Sequence, residues 1–213
     1  MSQRLPILVG CEESQVITAA LRAAGYEAYS CDLLPTRGRV GWHYEIDVLK
    51  VIVSRRWSMI ILHPDCTAMG VCGNGTYGQG KARHDERIAA LKWTLDLWEL
   101  AKLYSDRVAL ENPGSVIFPP LKKRGANVQY VQPWMFGHTE TKKTGFALHN
   151  LPPLVETKNV YEEMIVLPEK DKHKVWYMSP GKNRKRDRSE TYSGIAEAIT
   201  QQWAPLCLQQ GAA

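Results

Sequence analysis

Cys66 lies in the stretch "ILHPDCTAMG", residues 61–70, and a thiol in that setting could act as a nucleophile. Met59, Ile60, Ile61 and Leu62 before it are apolar and partly β-branched, as a strand buried on both faces requires. His63 and Pro64 break the pattern, so the thiol is expected at a strand's carboxyl end, where open α/β sheets place their ligands. The commoner fate of a cysteine is to pack as a small hydrophobe, so its neighbours decide between the two roles. Glu12 or Glu13, Asp32, Asp47 and Glu111 each fall at or just beyond another expected strand end. One topology could gather them with Cys66 along one edge of a sheet, although each alone also reads as a cap or turn residue. Asp32 has the strongest individual case, because an acid after the second strand of such a fold hydrogen-bonds a ribose diol.

The elements that must position these groups alternate. "PILVG" (6–10) reads as a first strand, and 14–26 as a helix with Ser14 as N-cap and Gly25 as its stop. A strand over 27–34 ends near Asp32, and 44–53 carries Asp47 into a short helix or strand. After Cys66, 70–80 is a glycine-rich loop suited to close over a substrate, and 82–104 has the spacing of a long amphipathic helix, with Ile88, Leu91, Leu95, Trp98 and Leu103 roughly on one side. A strand over 107–113 carries Glu111. Two further strands, within 128–137 and 144–151, are expected around a tight connection, and 194–206 is a closing helix. The reading is an α/β fold, a doubly wound, mostly parallel sheet with an antiparallel hairpin at one edge.

At 213 residues and 44% hydrophobic content the chain suits one full core. No apolar run approaches the ~20 residues needed to cross a bilayer, and the amino-terminal residues lack a signal-peptide pattern, so a cytoplasmic protein is expected. Five cysteines without framework spacing suit a reducing compartment, and no cluster suggests a metal. The net charge of +5 is modest, but basic residues concentrate in 120–128, 139–145 and 179–191, which points to an anionic partner or to solvated loops.

Taken in order, "LVGCEESQVITAALRAAGYEAYSCD", "HPDCT", "ALENP" and "FGHTETKKTGFAL" resemble the DNA cytosine-5 methyltransferases, especially the compact type of phages and mobile elements. The resemblance spans most of the chain. It implies a Rossmann-like domain that binds S-adenosylmethionine and releases S-adenosylhomocysteine, over 1–150 and 190–213, with 151–189 as a small basic insertion. It implies Cys66 as the nucleophile toward cytosine C6 and Glu111 as the acid at ring N3, with Asn112 fixing its backbone. Gly10, Glu12, Asp32, Asp47 and Pro64 would lie nearest the cofactor, Asp32 on the ribose and Asp47 on the adenine amine. Lys142 and Lys143 would occupy the segment that holds the target base. Lys182, Arg184, Lys185, Arg186 and Arg188 would touch phosphates of duplex or single-stranded DNA, and Trp176 and Tyr177 could stack or anchor a small hairpin.

The sequence departs from the family pattern in three places. Asp65 stands between Pro64 and Cys66, and a carboxylate beside a thiol disfavours the thiolate unless a cation or helix end offsets it. The family's Gln-x-Arg-x-Arg reads Glu140-Thr141-Lys142-Lys143-Thr144, and of the cofactor loop's glycines only Gly10 is present. Methylation of a free cytosine nucleotide, and nucleic-acid binding without catalysis, are the competing readings. Amino methylation is a lesser one, since Cys66 replaces the aromatic platform it uses.

Overall fold

Strands flanked by helices on both faces have no polar side, and that requirement explains the uninterrupted apolar runs in the middle of this chain. The computed structural model describes residues 5–208. Ile7–Gly10 (β1) is buried throughout and leads into Val16–Ala23 (α1). Ala28–Asp32 (β2), His43–Glu45 (β3), Val48–Ile52 (α2) and Met59–Leu62 (β4) follow, then Asn74–Tyr77 (α3) and the long helix His84–Tyr104 (α4). Val108–Pro113 (β5), Phe118–Lys123 (α5), Asn127–Val131 (β6) and Thr144–His149 (β7) complete the sheet. Tyr161–Ile165 (α6), Glu169–Lys172 (α7), Lys174–Tyr177 (α8) and Arg184–Ser189 (α9) are short, and Ser193–Gln202 (α10) packs back on the sheet.

The strand order is β3-β2-β1-β4-β5-β7-β6. β1 pairs in parallel with β2 and β4, and β4 with β5, while β7 runs antiparallel to both β5 and β6. This is the doubly wound, mostly parallel sheet with an antiparallel hairpin at one edge that the alternation of elements predicts. The winding reverses between β1 and β4, which opens a crevice at their carboxyl ends. Alternate residues feed two cores: Ile7, Val9, Met59 and Ile61 face α1 and α10, whereas Leu8, Ile60 and Leu62 face α2 and α4.

Several local expectations are corrected. Ser14 is not the N-cap of α1; Gln15 holds that position in a left-handed conformation without a side-chain cap, and the Glu12 carboxylate serves the exposed amides instead. Gly25 does stop the helix, at φ 85°, with its amide on Arg22 O and that of Tyr26 on Leu21 O. The buried face of α4 is Arg87, Thr94, Leu97, Trp98 and Ala101, while Ile88 and Leu103 are exposed. Apolar spacing placed Trp98 correctly, with Leu91 and Leu95 partly buried against the core, and missed the rest because a buried arginine and threonine belong to this face. The connection of β6 to β7 is twelve residues, 132–143, rather than a tight turn, since it must carry a charged segment across the strand ends. Among the described residues, 151–193 contains short helices and no strand, so the expected small hairpin is absent. Its first residues, Leu151 and Leu154, pack into the main core with Ile195 and Trp203.

Gly194 opens α10 against the backbone of the β6–β7 connection, and a Cβ there would fall onto the carbonyl oxygen of Phe136. Gly194→Ala should therefore lower the unfolding free energy by about 1–3 kcal/mol, as overpacking does. Urea titration should show an earlier midpoint at unchanged slope, and an unchanged midpoint would mean that the helix end shifts freely.

Candidate active site

Three carboxylates, a thiol and an imidazole meet at the carboxyl ends of β1, β4 and β5 because those strands are parallel neighbours in close register. Gly10 pairs with Leu62, and Leu62 with Leu110, so the residues just beyond each emerge side by side. His63 follows β4 with its amide on Gly10 O at 2.9 Å, and its Nδ1 stands 3.3 Å from Glu111 Oε2. Pro64 is buried, and Asn112 Nδ2 donates to its carbonyl at 3.0 Å, which ties the turn before Cys66 to the strand bearing Glu111. Asn112 thus braces the cysteine turn directly, in addition to sitting beside Glu111 in the strand.

The loop after Cys66 is knitted in place rather than open. Cys66 O accepts from the amides of Met69 and Gly70, Val71 N donates to Gly114 O, and Gly70 bridges to Ser115. Arg87, buried on α4, donates to Ala68 O at 2.7 Å, Asn74 Oδ1 at 2.8 Å and Gly70 O at 3.3 Å. The expected glycine-rich closing loop is therefore a short 3₁₀ turn and α3, clamped by a guanidinium. Cys72 lies exposed on that turn, while Cys66 is half-buried at the junction.

Burial pushes the Cys66 thiol up to about 11, and the charges of Glu111 and Asp65 add to the effect. Cations stand against that field. Burial raises the Asp65 carboxyl, but Lys185 Nζ at 2.8 Å and two Thr67 donors outweigh it and hold the group below its ordinary range. Lys142 is half-buried and lies close enough to feel Glu111 and Cys66; burial lowers its ammonium while those two charges oppose the shift. Its Nζ donates to Glu190 O at 2.9 Å. Lys143 is exposed and lies over the Tyr130 ring, 4.4 Å from its centroid.

On the β1 side, Glu12 accepts from Ile17 N at 2.7 Å and Thr18 Oγ1 at 2.7 Å, so both carboxylate oxygens are committed to α1. Burial raises Glu12 above its ordinary range, against the opposing influence of His63. The acid at the helix N-terminus is favourable to the helix dipole. Cys11 and Gln15 flank this turn with φ near 60°, and the Gln15 amide is fully engaged by Ser30 and Arg39. Burial raises the Cys11 thiol far above its ordinary range, and Asp32 adds to the effect. Asp32 ends β2 and gives one oxygen to Leu34 N, and Asp47 caps α2 through Leu49 N. Asp47's first duty is thus structural. Gly10 is confined by its neighbours, since a Cβ would lie 2.7 Å from Val48 Cγ2 and 2.9 Å from Leu62 Cδ2.

The basic helix α9 turns inward instead of outward. Arg186 forks onto both oxygens of Glu13 at 3.1 and 2.8 Å, Arg37 joins the same carboxylate at 2.9 Å, and Lys185 holds Asp65. Two of the five expected phosphate contacts are therefore paired with acids at the mouth of the site. Arg184 Nε is buried without a partner, Lys182 is exposed, and Arg188 lines a cleft of about 460 Å³ with Thr141, His173, Trp176 and Tyr177. His63 and Arg87 escaped the sequence reading as site residues, and Glu13 entered it only as an alternative to Glu12. His63 carried the one available signal, a titratable side chain at a strand end beside Pro64.

No family model and no curated protein matches this chain. Among solved structures it is similar to the Entamoeba histolytica methyltransferase EhMeth, at 13% identity and TM-score 0.48 over 74% of this chain and 58% of that one. It is also similar to a candidate DNA modification methyltransferase encoded within an E. coli prophage, at 10% and 0.43 over 78% and 56%. The S. pombe Dnmt2 methyltransferase aligns at 14% and 0.45 over 95% and 66%. The chain thus spans less than two thirds of the length of each of these three proteins.

A thiol raised to about 11 is neutral at pH 7, and its thiolate fraction climbs about tenfold per pH unit below that value. Iodoacetamide labelling of Cys66, read by peptide mass, should rise accordingly toward alkaline pH. Glu111→Gln removes a charge that raises the thiol, so the profile should move to lower pH. A profile that stays in place would mean that this carboxylate does not face the sulfur.

Proposed function

We propose that the chain is an S-adenosylmethionine-dependent methyltransferase acting at cytosine C5, with DNA as the substrate. The observation that carries the reading is the coupling of Cys66 to Glu111: adjacent parallel strands, one Asn112–Pro64 hydrogen bond, and a carboxylate whose charge reaches the sulfur. The crevice between β1 and β4 suits the cofactor, because Asp32 presents a carboxylate at the end of β2 with only one oxygen engaged among the described residues. Asp32 would hold the ribose, with Gly10, Pro64 and Asp47 lining the crevice and Glu12 ordering the loop by capping α1. The cofactor supplies an electrophilic methyl group on a sulfonium.

Cys66, as thiolate, adds to C6 and turns C5 into a carbon nucleophile. Glu111, as the neutral acid, would give its proton to N3 while that bond forms; once C5 has taken the methyl group, loss of the C5 proton to a water expels the thiolate from C6, and Glu111 recovers the N3 proton. Lys142 supplies positive charge beside both groups. Residues 1–150 and 190–213 form the catalytic unit in this reading, and 151–189 is an insertion whose basic residues, with Lys143, meet phosphate. The compact phage type, at work in the cytoplasm, fits the shortness of that insertion.

Calorimetry with S-adenosylhomocysteine should show binding to the wild type and to Cys66→Ser alike, while Cys66→Ser abolishes methyl transfer and Cys72→Ser retains most of it. Folded wild-type protein that binds no S-adenosylhomocysteine would leave a nucleic-acid-binding module. Labelled methyl groups should enter duplex or single-stranded DNA, and exclusive labelling of dCMP would reassign the substrate to the free nucleotide.

A further inference from the structure

His63 has no part in the reaction as described, yet it is the side chain nearest in chemistry to Glu111. It is fixed from three directions: its amide is on Gly10 O, Pro64 after it restricts its backbone to extended conformations, and its ring is 10% exposed. Nδ1 lies 3.3 Å from Glu111 Oε2, while Nε2 is buried and has no partner. A buried polar atom without a partner costs about 1–3 kcal/mol, less for a bare acceptor nitrogen than for a stranded N–H donor. The tautomer with the hydrogen on Nδ1 places that hydrogen toward the carboxylate and leaves Nε2 as the bare acceptor. Glu12 from the β1–α1 turn feels the ring, Glu111 faces Nδ1 from β5, and Lys142 acts on Glu111.

We propose that His63 is the positioning residue of Glu111: its Nδ1–H donates to Oε2, so that Oε1 alone carries the proton to cytosine N3. The inference rests on the functional reading above and deepens it. A carboxylic acid has two oxygens and free rotation, and an acid that must protonate a ring nitrogen in one plane loses rate if either oxygen can present itself. With Oε2 held, the proton leaves Oε1 for N3 as the sulfur–C6 bond forms, and Nδ1–H steadies the carboxylate that results. When loss of the C5 proton to a water breaks the sulfur–C6 bond, the N3 proton returns to Oε1, and His63 begins and ends the cycle unchanged.

The test compares substitutions that differ in where they put a donor. His63→Asn sets an amide N–H where Nδ1 was and should keep kcat within about threefold. His63→Gln reaches toward the Nε2 position, and His63→Ala supplies no donor; both should lose on the order of 10²-fold in kcat with KM for DNA little changed, the cost of a misplaced catalytic group. S-adenosylhomocysteine binding by all three variants reports that they are folded. Nitrogen-15 spectra of the wild-type imidazole, assigned by the signal lost in His63→Asn, should show the proton on Nδ1. Equal kcat for the Asn, Gln and Ala variants in an active enzyme, or a proton on Nε2 alone, would overturn the positioning role and leave the methyltransferase reading intact. Wild-type protein that binds S-adenosylhomocysteine but methylates no cytosine would overturn both.

Discussion

A buried side-chain hydrogen bond, Asn112 Nδ2 to Pro64 O, ties together the two halves of the candidate chemistry. Parallel pairing of β4 with β5 brings the two chain segments to one edge, but strands fix only the residues inside the ladder, and Cys66 lies four residues past Leu62. Beyond the ladder the chain needs another constraint. Asn112 is 1% exposed and still in β5, so its amide is held by the sheet, and by binding Pro64 it extends that rigidity to the turn. The rest follows from this turn being fixed. His63 then faces Glu111, the Cys66 carbonyl can receive the amides of the next turn, and Arg87 can close the loop from α4.

The electrostatic arrangement opposes the thiolate and then supplies the means to relieve it. Burial, Glu111 and Asp65 all raise the thiol. The Asp65 charge is already paired with Lys185, but both partners are more than half exposed, so the pair is worth at most about 1 kcal/mol and yields readily to a competing anion. Arg186 on Glu13 is different. Its fork is bidentate and its partner is only 10% exposed, so it anchors α9 to the β1 turn while Lys185 beside it remains exchangeable. A basic segment built this way stays docked at the mouth of the site through Arg186.

The centre of the sheet was legible because β1 and β4 are buried on both faces, and continuous apolar runs ending in Gly10 and Leu62 leave little choice of register or period. The acid at each strand end was legible for the same reason, since each polar residue follows where the apolar run stops. What each acid does was less visible. Glu12 and Asp47 read as ligand contacts, and the fold uses both to cap helices, a choice decided by backbone geometry that no residue type announces. Arg87 was hidden on α4 because a buried arginine looks like an exposed one in a helical pattern. The inward turn of α9 was hidden too, because Glu13 and Asp65 are 173 and 120 residues away from the cations that bind them.

In the proposed reaction, the proton that Glu111 would give to cytosine N3 also bears on the sulfur. An ionised Glu111 is, after burial, the largest influence holding the Cys66 thiol up, whereas a neutral Glu111 removes that charge at the moment attack is required. In that reading one protonation would serve both partners of the reaction, arming the acid and relaxing the nucleophile. Lys142 bears on both groups as well, because its charge is felt by Glu111 and by Cys66, and a thiolate and a carboxylate formed in turn would each find it nearby. A lysine is a point charge, which suits a role in which the negative charge moves between two atoms. A guanidinium fork would favour one carboxylate geometry over the other state.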